Sequence, residues 1–418
     1  MHELLLATFR VALDAANPLV LIPKHLPSPP KGRTLVVGGG KAAAAMAKTL
    51  AENWPAEVPL SGLVVTRYQH GLPTRRIEVI EASHPLPDGR GAEAAQRMLD
   101  EVQQLAPDDL LIVLLSGGGS SLLALPVEDV TLEELRSVTK SLLASGAPIQ
   151  DINMVRKHLT RLSGGRLAAL SPAPVIALII SDVVGDDPTS IASGPCAADP
   201  STYADALAVL DKYAITPPVS VDAHLKRGIR GEIPDTPKPG DVIFSKVENL
   251  IIGSARLSLA AAETLMRSRG INVMNLGEIE GESRHVAQAH AKLIRELLQT
   301  IPRPFALLSG GETTVTVTNP SGRGGRNTEY LLALGAALRS VDNVWALACD
   351  TDGIDGSESN AGALWTPDTW TRARALGLDA EKMLEANNAY DFFYALNDLI
   401  VSGPTKTNVN DFRLILAA

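Results

Sequence analysis

Cysteine is nearly absent from this chain. Only Cys196 and Cys349 occur in 418 residues, too few for a disulfide framework or a cysteine-built zinc site, and the scarcity fits a reducing compartment. Aromatic residues make up 4%, so a core has to be assembled mainly from Leu, Val, Ile and Ala. An excess of positive charge is missing too: 38 Lys and Arg stand against 47 Asp and Glu, a net charge of −9. A nucleic-acid binder needs a cationic stripe that displaces counterions from phosphates, and this balance argues against one. No apolar run approaches the roughly 20 residues that cross a bilayer. The opening segment, MHELLLATFRVALDAANP, carries acids and no basic leader, so it reads as an amphipathic helix and not as a signal peptide. The expectation is a soluble, acidic, cytoplasmic protein without membrane or nucleic-acid partners. A chain this long buries a large core without covalent staples.

What is present is an alternation. Thr34–Val37, Gly62–Thr66, Ile77–Glu81, Leu110–Leu115 and Val175–Ile180 read as buried strands, and Ala42–Ala51, Gly91–Leu105 and Leu132–Ser145 as helices between them. Parallel neighbours need such crossovers, so the first half is expected to be α/β with a mainly parallel sheet. From Thr216 to Asp241 the chain turns rich in Pro and Gly, and the domain boundary is placed there, giving residues 1–235 and 236–418. The second half offers strands at Asn249–Ile252, Ile271–Leu276, Phe305–Leu308 and Trp345–Ala348. The alternating Thr313–Thr318 reads as a half-exposed antiparallel strand. A mixed sheet follows.

Six segments carry chemistry. In VVGGGKAAAAMA, Gly38, Gly39 and Gly40 lie between a strand and a helix, with Lys41 beside them. Such a turn lets backbone approach an anion at a helix N-terminus; it also serves plain strand–helix packing. It is not a Walker A loop, although Gly38, Gly40 and Ala43 satisfy dinucleotide spacing. That reading wants an acid after the second strand, where Arg67 stands. In LLSGGGSSLL, Ser116, Gly117, Gly118, Gly119 and Ser120 offer N–H groups and hydroxyls to a carboxylate or phosphate, and no G-x-S-x-G elbow is present. Arg156 and Lys157 are adjacent cations in an otherwise apolar helix. Asp182, Asp186 and Asp187 follow a buried strand; Asp187-Pro188 also reads as a helix cap, which leaves Asp182 as general base or metal ligand. Arg326 follows Gly324-Gly325 at a helix start, suited to an anion, with Glu312 at a nearby turn. Asp350, Asp352 and Asp355 miss the calcium-loop pattern and suit Mg²⁺ better.

Taken in order, GGGKAAAAMA, EASHPLPDGRG, SGGGSSLL, NMVRKHLTRLSGGRLA, SDVVGDDPTSIASGP, SGGETTVTV, GRGGRNTEY, DTDGIDG and SGPTKTNVND resemble the class II glycerate kinase family, also labelled glycerate 2-kinase or MOFRL, and sometimes hydroxypyruvate reductase. The resemblance covers nearly the whole chain. It departs at Ala255, where the family often has Asn, and at Lys406, where a small residue is usual. It implies a Rossmann-like first domain, a second α/β domain, and an active site in the cleft between them. It implies transfer of the γ-phosphoryl group of ATP to the 2-hydroxyl of D-glycerate with Mg²⁺, and it makes Lys41 and Arg326 active-site cations.

On that basis Lys41 and Arg326 are expected to meet the phosphoryl group, and Asp182 to accept the hydroxyl proton. Ser116–Ser120 and Arg156 are expected to hold glycerate. Gly38, Gly39, Gly40, Ser309, Gly310, Gly311, Gly325 and Asn327 are assigned to the nucleotide, and Asp187, Glu312 and Asp352 to the metal. The competing readings are an NAD(P)-dependent hydroxypyruvate reductase, which lacks the ribose-binding acid, and a non-catalytic sensor, which would not need the acids. The sequence leaves a homodimer open.

Overall fold

A computed structural model describes residues 1–418. The chain forms two compact units: residues 18–252, and residues 1–17 together with 253–418.

The first of these units is built on one sheet. Its strands are β1 (Thr34–Gly39), β2 (Leu60–Arg67), β3 (Glu78–Ala82), β4 (Leu110–Ser116), β5 (Val175–Ile180) and β6 (Val247–Gly253), in the order β3-β2-β1-β4-β5-β6. The pairs β1–β2, β1–β4, β2–β3 and β4–β5 are all parallel. β1 and β4 are buried along their whole length, as expected of strands covered by helices on both faces. Leu35, Val37, Leu111 and Val113 pack with Ala95, Met98 and Leu99 of the helix Gly89–Gln103. Strand order reverses between β1 and β4, and in open sheets of this kind ligands sit beyond the strand ends at that reversal.

The second unit has a mixed sheet. After β7 (Asn272–Glu278) and β8 (Gly281–Glu282) come β9 (Phe305–Gly310), β10 (Thr313–Thr314), β11 (Val344–Asp350), β12 (Gly362–Trp365), β13 (Leu399–Ile400) and β14 (Asp411–Ala417). The sheet order is β13-β12-β11-β14-β9-β7. β7 runs parallel to β9, while β14 is antiparallel to both neighbours, β9 and β11. The N-terminal helix His2–Asp14 belongs here: Leu5, Phe9 and Ala12 pack against Leu259, Met266 and Phe412. No single helix is long and apolar enough to cross a membrane.

Two expectations need correction. The boundary does not fall at residue 235, because the Pro-rich stretch is packed, not a linker. Val221 and Leu225 of its helix Val219–Ile229 are fully buried, and His158 meets Asp235 at 3.1 Å. Asn249–Ile252 then lies within β6, the edge strand of the first sheet. Thr313–Thr318 is not an antiparallel strand either. Only Thr313–Thr314 pairs, in parallel with β8, and Thr316 and Thr318 bond instead to Glu282 and Asn387 side chains.

Candidate active site

The two glycine loops of the first sheet divide the work between them. At the end of β1, Gly38 and Gly40 take φ of 149° and 143°, and a Cβ on Gly40 would lie 2.1 Å from Oγ of Ser116. Only glycine lets β1 and β4 approach so closely. The N–H groups here already have acceptors: Gly40 donates to Val65 O at 3.0 Å and Lys41 to Gly117 O at 2.8 Å. Ala42 donates to Ser116 Oγ at 3.0 Å. Gly38, Gly39 and Gly40 therefore serve the close packing of the sheet, and the donors left over are the N–H groups of Ala44 and Ala45 in the first turn of the helix Ala43–Asn53. Ser116 is fully buried and positions Ala42, away from any ligand role.

The loop after β4 differs. The N–H groups of Gly118, Gly119 and Ser120 have no backbone acceptor, while Ser121 and Leu122 turn back to Gly118 O. Ser120 is tied from below. The Ser193 hydroxyl lies 2.8 Å from Ser120 Oγ and 3.1 Å from Oδ1 of Asn153. Ala192, Ser193 and Gly194 all take positive φ, of 51°, 60° and 61°. Two of these are not glycine, and such backbone costs on the order of 1–3 kcal/mol per residue unless the surroundings enforce it. The run SIASGP thus spends strain on seating this loop.

Cations gather around it. His84 packs against Gly118, where a Cβ would come within 2.9 Å of its Cδ2. Burial first, then the charges of Lys41, Arg67 and Arg156, push the His84 pKa down to about 4, so the ring is neutral at pH 7. Arg156 has no carboxylate partner, and burial alone pulls its pKa down to about 10. A half-buried guanidinium without an acid is costly and marks a place prepared for an anion. Its neighbour Lys157 is otherwise engaged: it is buried and bridged to Asp199 at 3.4 Å. Asp182 follows β5 and is half-buried. Both oxygens of Asp187 accept hydrogen bonds from Thr189, and Oδ2 also from Ser190. No helix starts at Pro188: Asp187 ties a local turn, and the 3-10 turn Ile191–Ser193 that follows has Ser190 at its N-cap.

In the other unit Arg326 stands among acids. Its Nη2 donates to Asp350 at 2.6 Å, and its Nη1 lies 2.9 Å from Oε1 of Glu312. Burial opposes the charge of Arg326, yet Asp411, Asp350 and Glu312 hold its pKa above the ordinary guanidinium value. Burial and neighbouring Asp352 raise the Asp350 carboxyl well above the usual range. Asp411 is buried as well, but Arg413 and Arg326 hold its carboxyl below that range. Glu312 is the exposed member of the group, and beside it a cavity of about 680 Å³ opens between Val315, Gly324, Gly325, Arg326 and Glu329. Asn327 is fully buried and donates to Asp411 at 2.8 Å. The N–H groups of Asn327 and Thr328, expected to face an anion, are both taken at 2.9 Å by Asp355. Ser309 is buried within β9. A Cβ on Gly311 would lie 2.4 Å from Ile279 N, and one on Gly325 2.4 Å from Asp355. Gly310 gives its carbonyl to Arg413 at 2.8 Å. Asn327, Ser309 and these glycines therefore build the scaffold that aims Arg326.

Sequence reasoning missed His84, Arg413 and the role of Asp411, and it grouped Asp355 with Mg²⁺ candidates although its carboxylate accepts from Asn327 and Thr328. His84 lay in view within EASHPLPDGRG, but nothing local reveals that three cations surround it.

Comparison with known proteins agrees with this architecture. Residues 4–226 match a domain of unknown function (DUF4147), and residues 305–411 match the MOFRL family. A protein of Agrobacterium vitis, provisionally named hydroxypyruvate reductase, is 46% identical, over 99% of this chain and 94% of its own. The D-glycerate 2-kinase of Thermotoga maritima is 38% identical over 98% and 97% of the two chains. The crystal structure of a Thermotoga maritima glycerate kinase matches with a TM-score of 0.89 at 37% identity, covering 100% of this chain and 99% of that one. Glycine loops, lone guanidinium and acid-ringed arginine thus sit in a chain that belongs to the MOFRL family of glycerate kinases.

Proposed function

We propose that the chain transfers the γ-phosphoryl group of ATP to the 2-hydroxyl of D-glycerate, giving 2-phosphoglycerate and ADP. The observation that carries this reading is Arg156: a guanidinium without an acid, grouped with Lys41 around a neutral His84. Arg156 and the N–H groups of Gly118–Ser120 take the glycerate carboxylate. Lys41 and Arg326 neutralise the migrating phosphoryl group, and Asp182 accepts the proton as the 2-hydroxyl oxygen bonds to phosphorus and the bond to ADP breaks. Phosphoryl transfer is mostly positioning and charge neutralisation, which these residues supply.

The nucleotide is assigned to the cavity beside Arg326. No three His, Cys, Asp or Glu side chains stand close enough to hold a metal ion by themselves. Glu312 and Asp352 are nonetheless oxygen donors of the kind Mg²⁺ takes, and this ion is commonly bound by one or two carboxylates plus substrate phosphates. When bound, Mg²⁺ neutralises charge on the phosphates.

The reductase name on the Agrobacterium relative meets an obstacle in the first loop. The N–H groups of Gly40, Lys41 and Ala42 are spent on Val65, Gly117 and Ser116, and Arg67, not an acid, ends β2.

The test is ADP release on addition of D-glycerate, with the product identified as the 2- or 3-phosphate by phosphorus NMR. NAD(P)H oxidation with hydroxypyruvate is measured in parallel. ADP release that depends on D-glycerate and yields the 2-phosphate is expected. Hydroxypyruvate reduction without ADP release would overturn the proposal. So would full turnover in folded Lys41→Ala and Arg326→Ala variants.

A further inference from the structure

A second cavity lies in the unit of residues 18–252, beside the helix ends that lead into β4 and β5, whereas the glycine loops follow the other ends of the strands. The helix Gly89–Gln103 returns the chain to the start of β4, and Leu99 and Gln103 at its end line this cavity. Leu170, which ends the helix Arg166–Leu170 before β5, lines it as well. The cavity measures about 500 Å³, within the usual range for small-molecule sites. Leu99, Val127, Leu170 and Ile233 give it apolar walls.

Arg161 and Arg166 also line it, and neither has a carboxylate partner. Nη1 of Arg161 donates to the neutral Oε1 of Gln96 at 3.0 Å. Nη1 of Arg166 donates to the carbonyls of Lys157 and Thr160, and its Nη2 to the Tyr203 hydroxyl at 3.2 Å. Burial lowers the Arg166 pKa from its ordinary value. The acids nearby are mostly committed elsewhere: Asp129 to Arg227, and Asp235 to His158 at 3.1 Å and Lys238 at 3.3 Å. Glu128 faces solvent at the rim. Over the whole lining Arg161, Arg166 and Arg227 balance Glu128, Asp129 and Asp235, but Arg161 and Arg166 are the cations that no carboxylate bonds, and they sit against an apolar wall.

We infer that this cavity binds a small organic anion, a carboxylate carried on an aryl or branched alkyl body. The carboxylate lies between Arg161 and Arg166, and the body packs on Leu99, Leu170 and Ile233. Planar guanidinium forks suit a carboxylate, and the apolar walls reject hydrophilic acids of similar charge. The inference does not depend on the phosphoryl-transfer reading, because its residues are separate from the loop of Gly118 and Arg156.

The test is calorimetric titration of the full chain with 2-naphthoate. Binding at one site per chain is expected, with 2-naphthalenemethanol at least about tenfold weaker. Arg161→Gln weakens 2-naphthoate by about tenfold and Leu170→Glu removes its binding, while both variants keep the wild-type circular dichroism spectrum. Arg166 is left in place because it ties down the carbonyls of Lys157 and Thr160. Three results would overturn the inference: no saturable binding at millimolar 2-naphthoate, equal affinity in wild type and both variants, or binding abolished by Arg156→Gln instead. The last would assign the probe to the glycine-loop site.

Discussion

Nε of Arg326 donates to Oδ1 of Asp411 at 2.7 Å, and the accepting carboxylate is closed to solvent. Arg326, proposed as a cation for the phosphoryl group, is thus also the counter-charge of a buried acid. Removing it leaves Asp411 to Arg413 alone and takes from Asp350 the cation it bonds, and breaking one side of a buried pair costs about 3–5 kcal/mol. Arg326→Ala should therefore lose stability as well as turnover. Arg326→Lys keeps the charge but loses the fork, so kcat should fall about a hundredfold, roughly 3 kcal/mol of transition-state stabilisation, with a smaller loss of stability. Urea unfolding and kcat at saturating ATP, measured on both variants, check this. An alanine variant as stable as wild type would show that the guanidinium does not hold these acids.

Arg156 should behave in the opposite way. It is a half-buried cation whose pKa burial pulls down to about 10, with no acid to offset it. Replacing it with Gln removes a desolvation cost, so thermal stability should hold or rise. Binding should suffer: the loss of a charge-assisted contact raises the KM for D-glycerate by roughly a hundredfold, about 3 kcal/mol, with the KM for ATP little changed. A drop in melting temperature with an unchanged glycerate KM would mean that Arg156 is structural.

The contrast between these two arginines shows where sequence reading works. Val175–Ile180 is a strand with the bounds its apolar run suggests, because a strand covered on both faces must be apolar throughout. Arg156 could be singled out because a cation in an apolar helix is conspicuous. The surroundings of Arg326 were hidden, since Asp411 is 85 residues away and arrives through β14, a strand between β9 and β11. The Pro-rich stretch misled for a related reason. Proline and glycine report local backbone freedom, whereas the packing of Val221 and Leu225 against Val155 and Leu159 is decided by the tertiary fold. The glycines of the first loop signalled close approach correctly. What they approach, Leu114 for Gly38, Leu123 for Gly39 and Ser116 for Gly40, lay beyond the sequence.

Gly40 turns that last point into an experiment. Its φ of 143° is strained for any side chain, and a Cβ would lie 2.1 Å from Ser116 Oγ and 2.5 Å from Ser116 O. Gly40→Ala should cost about 2–4 kcal/mol through backbone strain and overpacking. The folded fraction should keep a near-normal KM for ATP, because the N–H groups here are already bonded within the sheet. Denaturant midpoints with nucleotide titrations check it. Normal stability with lost ATP binding would restore the loop as a nucleotide cradle.

His290 sets an acid limit on the unit that carries Arg326. It is buried, its Nδ1 lies 2.7 Å from the Tyr330 hydroxyl, and its Nε2 has no partner. Burial first, and Arg413 second, push its pKa from 6.5 down to about 4. In the unfolded chain the imidazole titrates near its ordinary value, so between these two pH values the unfolded state holds a proton that the folded state refuses. Stability is therefore complete above the upper value. It falls by about 1.4 kcal/mol per pH unit on acidification, about 3 kcal/mol in all, and levels off below the lower value. His290→Gln lacks a titrating ring but keeps an acceptor for Tyr330, so its urea midpoint should decline less steeply over the same range. Parallel pH profiles for wild type and variant would show that His290 binds its proton equally in both states.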